Sequence, residues 1–139
     1  LLDSNNDASR VMDEFRGEGN RFFYIQKLLE IPGQDLGIVF LGGNYVATYA
    51  RVRAKGTWST TTTAGGEYVA YDPPPDVIRL AHKAQSLFNL DFTCVDVAET
   101  GDGPVVFEVS AFGGFHGLYE AKGIDAAELY IDYVLDRIK

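Results

Sequence analysis

The chain has 139 residues, 46% hydrophobic and 23% charged, which suits one globular domain or one large fragment of a larger protein. A net charge of −8 with no basic stripe excludes a nucleic-acid partner, since such affinity is made mostly by Lys and Arg. No apolar run approaches the about 20 residues that cross a bilayer, and no signal peptide opens the chain, so no membrane partner is expected. Cys94 is the sole cysteine, so no intrachain disulfide can form and a cytoplasmic location fits. It lies in an apolar run, as a buried small hydrophobe would. Because the first residue is Leu1 rather than Met, the protein is expected to continue upstream.

From Asp7, an expected N-cap, Val11, Met12 and Phe15 fall at helical spacing until Gly17 and Gly19. RFFYIQKLLEI then reads as a buried strand, turned by Pro32 and Gly33. DLGIVFLGGNYVATYARVRA reads as a hairpin with Gly42 and Gly43 near its turn. KGTWSTTTTAGGEYV is small, polar and β-branched, an extended strand or an ordered loop. After Pro73, Pro74 and Pro75, a helix is predicted with Val77, Leu80, Ala81, Ala84, Leu87 and Phe88 on its apolar face. A second hairpin, LDFTCVDVA–TGDG–PVVFEVS, leads through the loop AFGGFHG to a final helix from about Asp125. That helix is expected to turn Ala127, Ile131, Val134, Leu135 and Ile138 to one face. Hairpins mixed with isolated helices predict an α+β fold, an antiparallel sheet flanked by helices.

The second hairpin carries acids inside an apolar pattern. Alternation places Val105, Phe107 and Val109 on one face of its second strand, and Val106, Glu108 and Ser110 on the other. Phe92, Cys94, Asp96 and Ala98 share a side of the first strand. A loop of odd length would set Asp96 opposite Glu108, with side chains about 5 Å apart. Two like charges at that distance call for something positive between them. Magnesium answers this need, because it takes carboxylate oxygens and keeps positions for phosphate. Spacing alone leaves open that each acid pairs instead with an Arg or Lys. AFGGFHG is likewise open between an anion-cradling loop and a tight connector needing positive φ.

VDVAETGDGPVVFEVSAFGGFHGLYEAKGIDAAELYIDYV resembles the end of RimK-type members of the ATP-grasp superfamily, which read G-V-D followed by E-V-N and a Pro-Gly-rich loop. YIQKLLEIPGQDLGIVFLGGNYVATYARVRAKGTWSTTTTAGG follows the order V-Q-E-F/Y-I, D-I-R, a Gly turn, an Arg, an Asn and G-G. The likeness runs from about Tyr24 to the end and more loosely back to Leu1. It implies a C-terminal ATP-grasp portion, with 1–20 a remnant of the lid subdomain and 21–139 the C-terminal subdomain. It implies an ATP-dependent carboxylate–amine ligase that forms an amide through an acyl phosphate. ATP and magnesium, with manganese as a substitute, would be the cofactors. A carboxylate substrate and an amine acceptor, amino acid or peptide, would be the partners; a homo-oligomer is left open. By the same likeness Asp96, Glu108 and Ser110 would hold the metal, and Arg51 would face the phosphate or acyl phosphate. Gln26, Lys27, Leu28 and Leu29 would hold adenine, and Asp35 the ribose.

Several positions depart from the family. Ser110 and Thr61 stand where Asn is usual, Lys27 replaces the hinge Glu, Gly37 the Arg of D-I-R, and Phe112 and Gly113 a Ser-Pro. The Gly-rich phosphate loop and Lys residues of the family lid have no counterpart here, so weak ligase activity is expected of these residues alone. Two other readings stand beside this one: a non-catalytic ATP-grasp-like module, or an unrelated interaction domain should Asp96 and Glu108 point to opposite faces.

Overall fold

The computed structural model describes residues 5–57 and 59–139. Leu1–Ser4 and Trp58 lie outside the described residues, so part of the segment read as a lid remnant is not described. The first helix, α1, spans Asn5–Gly17, which places Asp7 in its first turn rather than at the cap.

The two expected hairpins both form. β1 (Gln34–Leu41) and β2 (Asn44–Val52) pair antiparallel around a turn at Gly42 and Gly43, both with positive φ. After β2 the Thr-rich stretch is a loop with a 3-10 turn at Thr62–Ala64, and β3 (Glu67–Ala70) then pairs with β2. The prolines end at Pro75, the first residue of α2 (Pro75–Gln85), a position whose amide has no helical partner to lose. β4 (Phe92–Thr100) and β5 (Gly103–Ala111) form the second hairpin, and β4 also pairs with β1. The result is one five-stranded antiparallel sheet in the order β3-β2-β1-β4-β5. Two short helices follow, α3 (Phe115–Lys122) and α4 (Ala126–Arg137). Asp125 caps α4, its carboxylate accepting from the amides of Ala127 at 2.9 Å and Glu128 at 3.1 Å. No helix among the described residues is long and apolar enough to cross a membrane.

Alternation along the strands splits the core in two. Leu36, Ile38, Phe40, Val95 and Val97 pack under Val77 and Ala81 of α2. Val39, Ala47, Tyr49, Phe92 and Cys94 pack on the other face beneath Leu118 of α3 and Ala126 of α4. The candidate site lies on this second face.

Several sequence expectations fail for local reasons. Residues 21–31 form no strand: both edges of β1 are occupied, no described strand lies beside the segment, and Phe22 and Tyr24 are each 88% exposed. An apolar run looks like a buried strand whether or not a neighbour is present to pair with it. Leu87 and Phe88 lie beyond the end of α2 and are exposed. On α4 the inward residues are Ala126 and Tyr130, while Ile131, Val134, Leu135 and Ile138 are exposed. Periodicity finds an apolar stripe but cannot say what covers it.

The hairpin register is reached differently from the expectation. The turn is the even, two-residue Gly101–Asp102, with Thr100 opposite Gly103. A bulge at Phe107 then supplies the missing residue, so Val106 faces Val97 while Glu108 faces Asp96. The bulge also separates Val106 from Glu108: Val106 joins Val109 in the α2 core, not the face of Glu108 and Ser110. An alternation rule run straight through β5 cannot see this.

Candidate functional site

Four charged side chains meet on the α3 face of the sheet. Asp35 and Arg51 are cross-strand partners on β1 and β2, and Asp96 and Glu108 are cross-strand partners on β4 and β5. Arg51 donates its Nε–H to Asp35 Oδ2 at 2.9 Å, and its Nη2 pairs with the same oxygen. That Nη2 also reaches Asp96 Oδ2 at 2.7 Å, crossing β1 beside Gly37. Glu108 is exposed, and its Oε1 accepts from the Ser110 hydroxyl.

One guanidinium is thus shared by two buried carboxylates, with a third acid opposite one of them. Burial alone works against a charged Arg51, but the Asp35 hydrogen bond and the charges of Asp96 and Asp35 outweigh it, raising its pKa above the ordinary arginine value. Asp96 is raised above the usual carboxylate range, first by burial. Arg51 opposes this, and Asp35 and Glu108 add to it. Asp96 has only a share of Arg51's charge, so burial prevails. Asp35 Oδ1 is buried and has no hydrogen-bond partner among the described residues.

Beneath these charges lies Tyr49. A Cβ at Gly37 would come within 2.3 Å of its ring and one at Gly117 within 2.5 Å, so the ring occupies space that only glycines leave free. Its hydroxyl meets Cys94 Sγ at 3.5 Å, and that thiol in turn faces Asp96 Oδ1 at 3.7 Å. Burial, then the charge of Asp96, push the Cys94 thiol up to about 12. It is therefore a packed hydrophobe and not a nucleophile.

Two cavities meet over this cluster. One, of about 530 Å³, runs along Gln26–Ile31 and is closed by Asp35, Arg53 and Phe107. The other, of about 400 Å³, is lined by Arg51, Asp96, Glu108 and residues 60–63. Asp35, Thr60 and Phe107 line both, so the two are continuous. Gly66 lets the Thr-rich loop close over them, since a Cβ there would meet the Thr60 carbonyl at 2.5 Å.

The family model for a RimK-like ATP-grasp domain matches residues 2–134. The chain belongs to the RimK-like ATP-grasp family. It is 26% identical over 134 residues to a probable alpha-L-glutamate ligase of Maridesulfovibrio salexigens, covering 96% of this chain and 44% of that protein. It is 28% identical over 134 residues to the ribosomal protein bS6–L-glutamate ligase of Escherichia coli O81, covering 96% and 45%. The ATP-grasp ligase PsnB, solved with a phosphomimetic variant of its minimal precursor, Mg and ADP, superposes with a TM-score of 0.61 at 19% identity, covering 79% of this chain and 34% of that one. The chain spans under half the length of the curated relatives it matches.

Within this RimK-like domain, the site residues singled out in the sequence, Ser110 excepted, line the two cavities. Gln26, Lys27, Leu28 and Leu29 line the larger one, as an irregular segment rather than a strand. Arg51, Asp96 and Glu108 line the smaller. Ser110 stands behind Glu108, its hydroxyl committed to that carboxylate. The Gly-rich loop resolves toward the connector reading. Gly114 caps α3 at φ 89°, and a Cβ there would sit 2.9 Å from Val39 Cγ2. His116 lies on α3 rather than in the loop, edge-on to Tyr68. Sequence reasoning missed Phe107, Thr60 and Arg53 as cavity walls, and nothing in their local pattern marked them. Tyr49 could have been found: an aromatic opposite a strand glycine is a common sign that the ring lies over it.

The donor set fits magnesium. Three carboxylates against one guanidinium leave Asp35, Arg51, Asp96 and Glu108 with a formal charge of −2, which a divalent cation would cancel. No group of three or more His, Cys, Asp or Glu among the described residues could cage a metal. Two carboxylates without a closed cage suit an ion that keeps waters and phosphate oxygens as its other ligands.

Proposed function

We propose that this chain supplies the nucleotide- and magnesium-binding part of an ATP-dependent carboxylate–amine ligase that forms an amide through an acyl phosphate. The observation that carries the reading is the pairing of Asp96 with Glu108 beside Arg51, where the two cavities join. The names of the relatives, both glutamate ligases, support an amino acid as the amine partner. In this reading residues 1–20 belong to a lid subdomain and 21–139 to the C-terminal subdomain.

Each residue then has a task. Gln26–Leu29 and Phe107 enclose the base in the larger cavity. Asp96 and Glu108 would hold magnesium, which when bound neutralises the phosphate oxygens. Ser110 orients Glu108 through its hydroxyl. Arg51, fixed in charge, stabilises the transferring phosphoryl group. Such a site works by positioning and charge neutralisation rather than by a protein nucleophile.

Measuring ADP formation by the full-length protein, with magnesium, ATP and a panel of amino acids and peptides, tests the proposal. Acceptor-dependent ADP release that Arg51→Ala abolishes is expected. Nucleotide binding with no ADP from any acceptor would instead favour a non-catalytic module, a reading motivated by the departures from the family at Ser110, Thr61, Lys27 and Gly37.

A further inference from the structure

Arg51 holds its two carboxylates unequally. Asp35 Oδ2 accepts from Nε–H at 2.9 Å and also lies against Nη2, whereas Asp96 meets Nη2 alone, at 2.7 Å. Asp35 is also the more enclosed, with its side chain 3% exposed against 10% for Asp96. It lies directly across from Arg51 on the neighbouring strand, while Asp96 is reached only across the width of β1, beside Gly37. A pair on adjacent strands is held at a fixed spacing by the ladder between them, whereas a contact that reaches past an intervening strand is not.

We infer that Asp35 is the positioning residue for Arg51, forming a permanent ion pair that keeps the guanidinium in the site when Asp96 is engaged elsewhere. The Arg51–Asp96 contact is the exchangeable one. The carboxylate of Asp35 acts on the reaction through Arg51. This inference rests on the magnesium reading above, because it assigns Asp96 a second partner. It explains why a buried acid is tolerated at position 35 with one oxygen unsatisfied: its other oxygen carries both bonds to Arg51.

The test uses ¹⁵N and ¹³C NMR of the full-length protein, titrated with MgCl₂ alone. Arg51→Lys assigns the Arg51 Nε–H signal. In the wild type that signal is expected to be slowly exchanging without metal and to persist at saturating magnesium, while the Asp96 carboxyl carbon shifts. In Asp35→Asn the signal is expected to broaden away. Magnesium affinity should then fall roughly tenfold, since the site loses one carboxylate charge. Loss of the Nε–H signal on adding magnesium, with the Asp96 carbon responding, overturns the inference alone. If neither Asp96 nor Glu108 responds to magnesium, the metal reading fails and the inference with it. The wild-type titration decides the matter even if Asp35→Asn does not fold.

Discussion

Replacing Arg51 with Ala removes the only cation that touches Asp35 and Asp96 among the described residues. Both acids lie inside the protein, and Arg51 itself is only 21% exposed, so solvent screens the network little. Breaking such a buried pair costs about 3–5 kcal/mol, because a charge is left without compensation. For a chain of 139 residues, at about 2.1 cal/mol/K of unfolding entropy per residue, this is a loss of roughly 10–17 °C in Tm. The loss should depend on pH in a defined direction. The folded-state pKa of Asp96 is raised above its unfolded value, so deprotonation of Asp96 opposes folding. Its unfavourable contribution is absent in acid below the ordinary carboxylate range and grows as pH rises through the raised value. Without Arg51 that value rises further. The stability deficit of Arg51→Ala should therefore be largest near neutrality and shrink as pH falls toward the carboxylate range. Urea unfolding of both proteins at several pH values measures it. A deficit below about 0.5 kcal/mol at pH 7, the size of an ordinary surface substitution, would refute the reasoning. A deficit that grows on acidification would refute it as well.

Three further outcomes follow from the packing. Gly37→Ala drives a Cβ into the Tyr49 ring and should cost about 1–3 kcal/mol in denaturant unfolding, with much of that recovered when Tyr49→Leu is added. Asp125→Ala removes the cap that satisfies two amides of α4 and should cost about 0.5–2 kcal/mol, measured the same way. Cys94, buried and with its thiol pushed up to about 12, should resist iodoacetamide at pH 8 in the folded protein and react fully in urea, as read by mass spectrometry.

Much of the fold was legible because its signals are local. The Gly42–Gly43 turn, the proline entry to α2 and the Asp125 cap each follow from a few neighbouring residues. The facing of Asp96 and Glu108 was anticipated, yet by the wrong route. An even turn and a bulge at Phe107 give the same pairing as an odd loop, and alternation does not distinguish them. The apolar segment 21–31 and the outer face of α4 show the opposite limit: pattern records hydrophobicity, while burial depends on what else is there to cover it. In the candidate site the ordered motifs pointed to residues that the structure brings close together, but not to how Arg51 pairs with them. That Arg51 would serve Asp35 and Asp96 at once depends on the strand order β2-β1-β4 and on the absence of a side chain at Gly37, and neither is a local property.

The central claim is that Asp96 and Glu108 form a magnesium–nucleotide site. Calorimetric titration of a non-hydrolysable ATP analogue into the full-length protein, with and without magnesium, addresses it most directly when repeated on Asp96→Asn and Glu108→Gln. Magnesium-dependent binding that each substitution weakens by roughly tenfold or more is the predicted result, with Glu108→Gln, an exposed position, leaving Tm nearly unchanged. Nucleotide binding of equal strength in all three proteins, or binding indifferent to magnesium, would contradict the account.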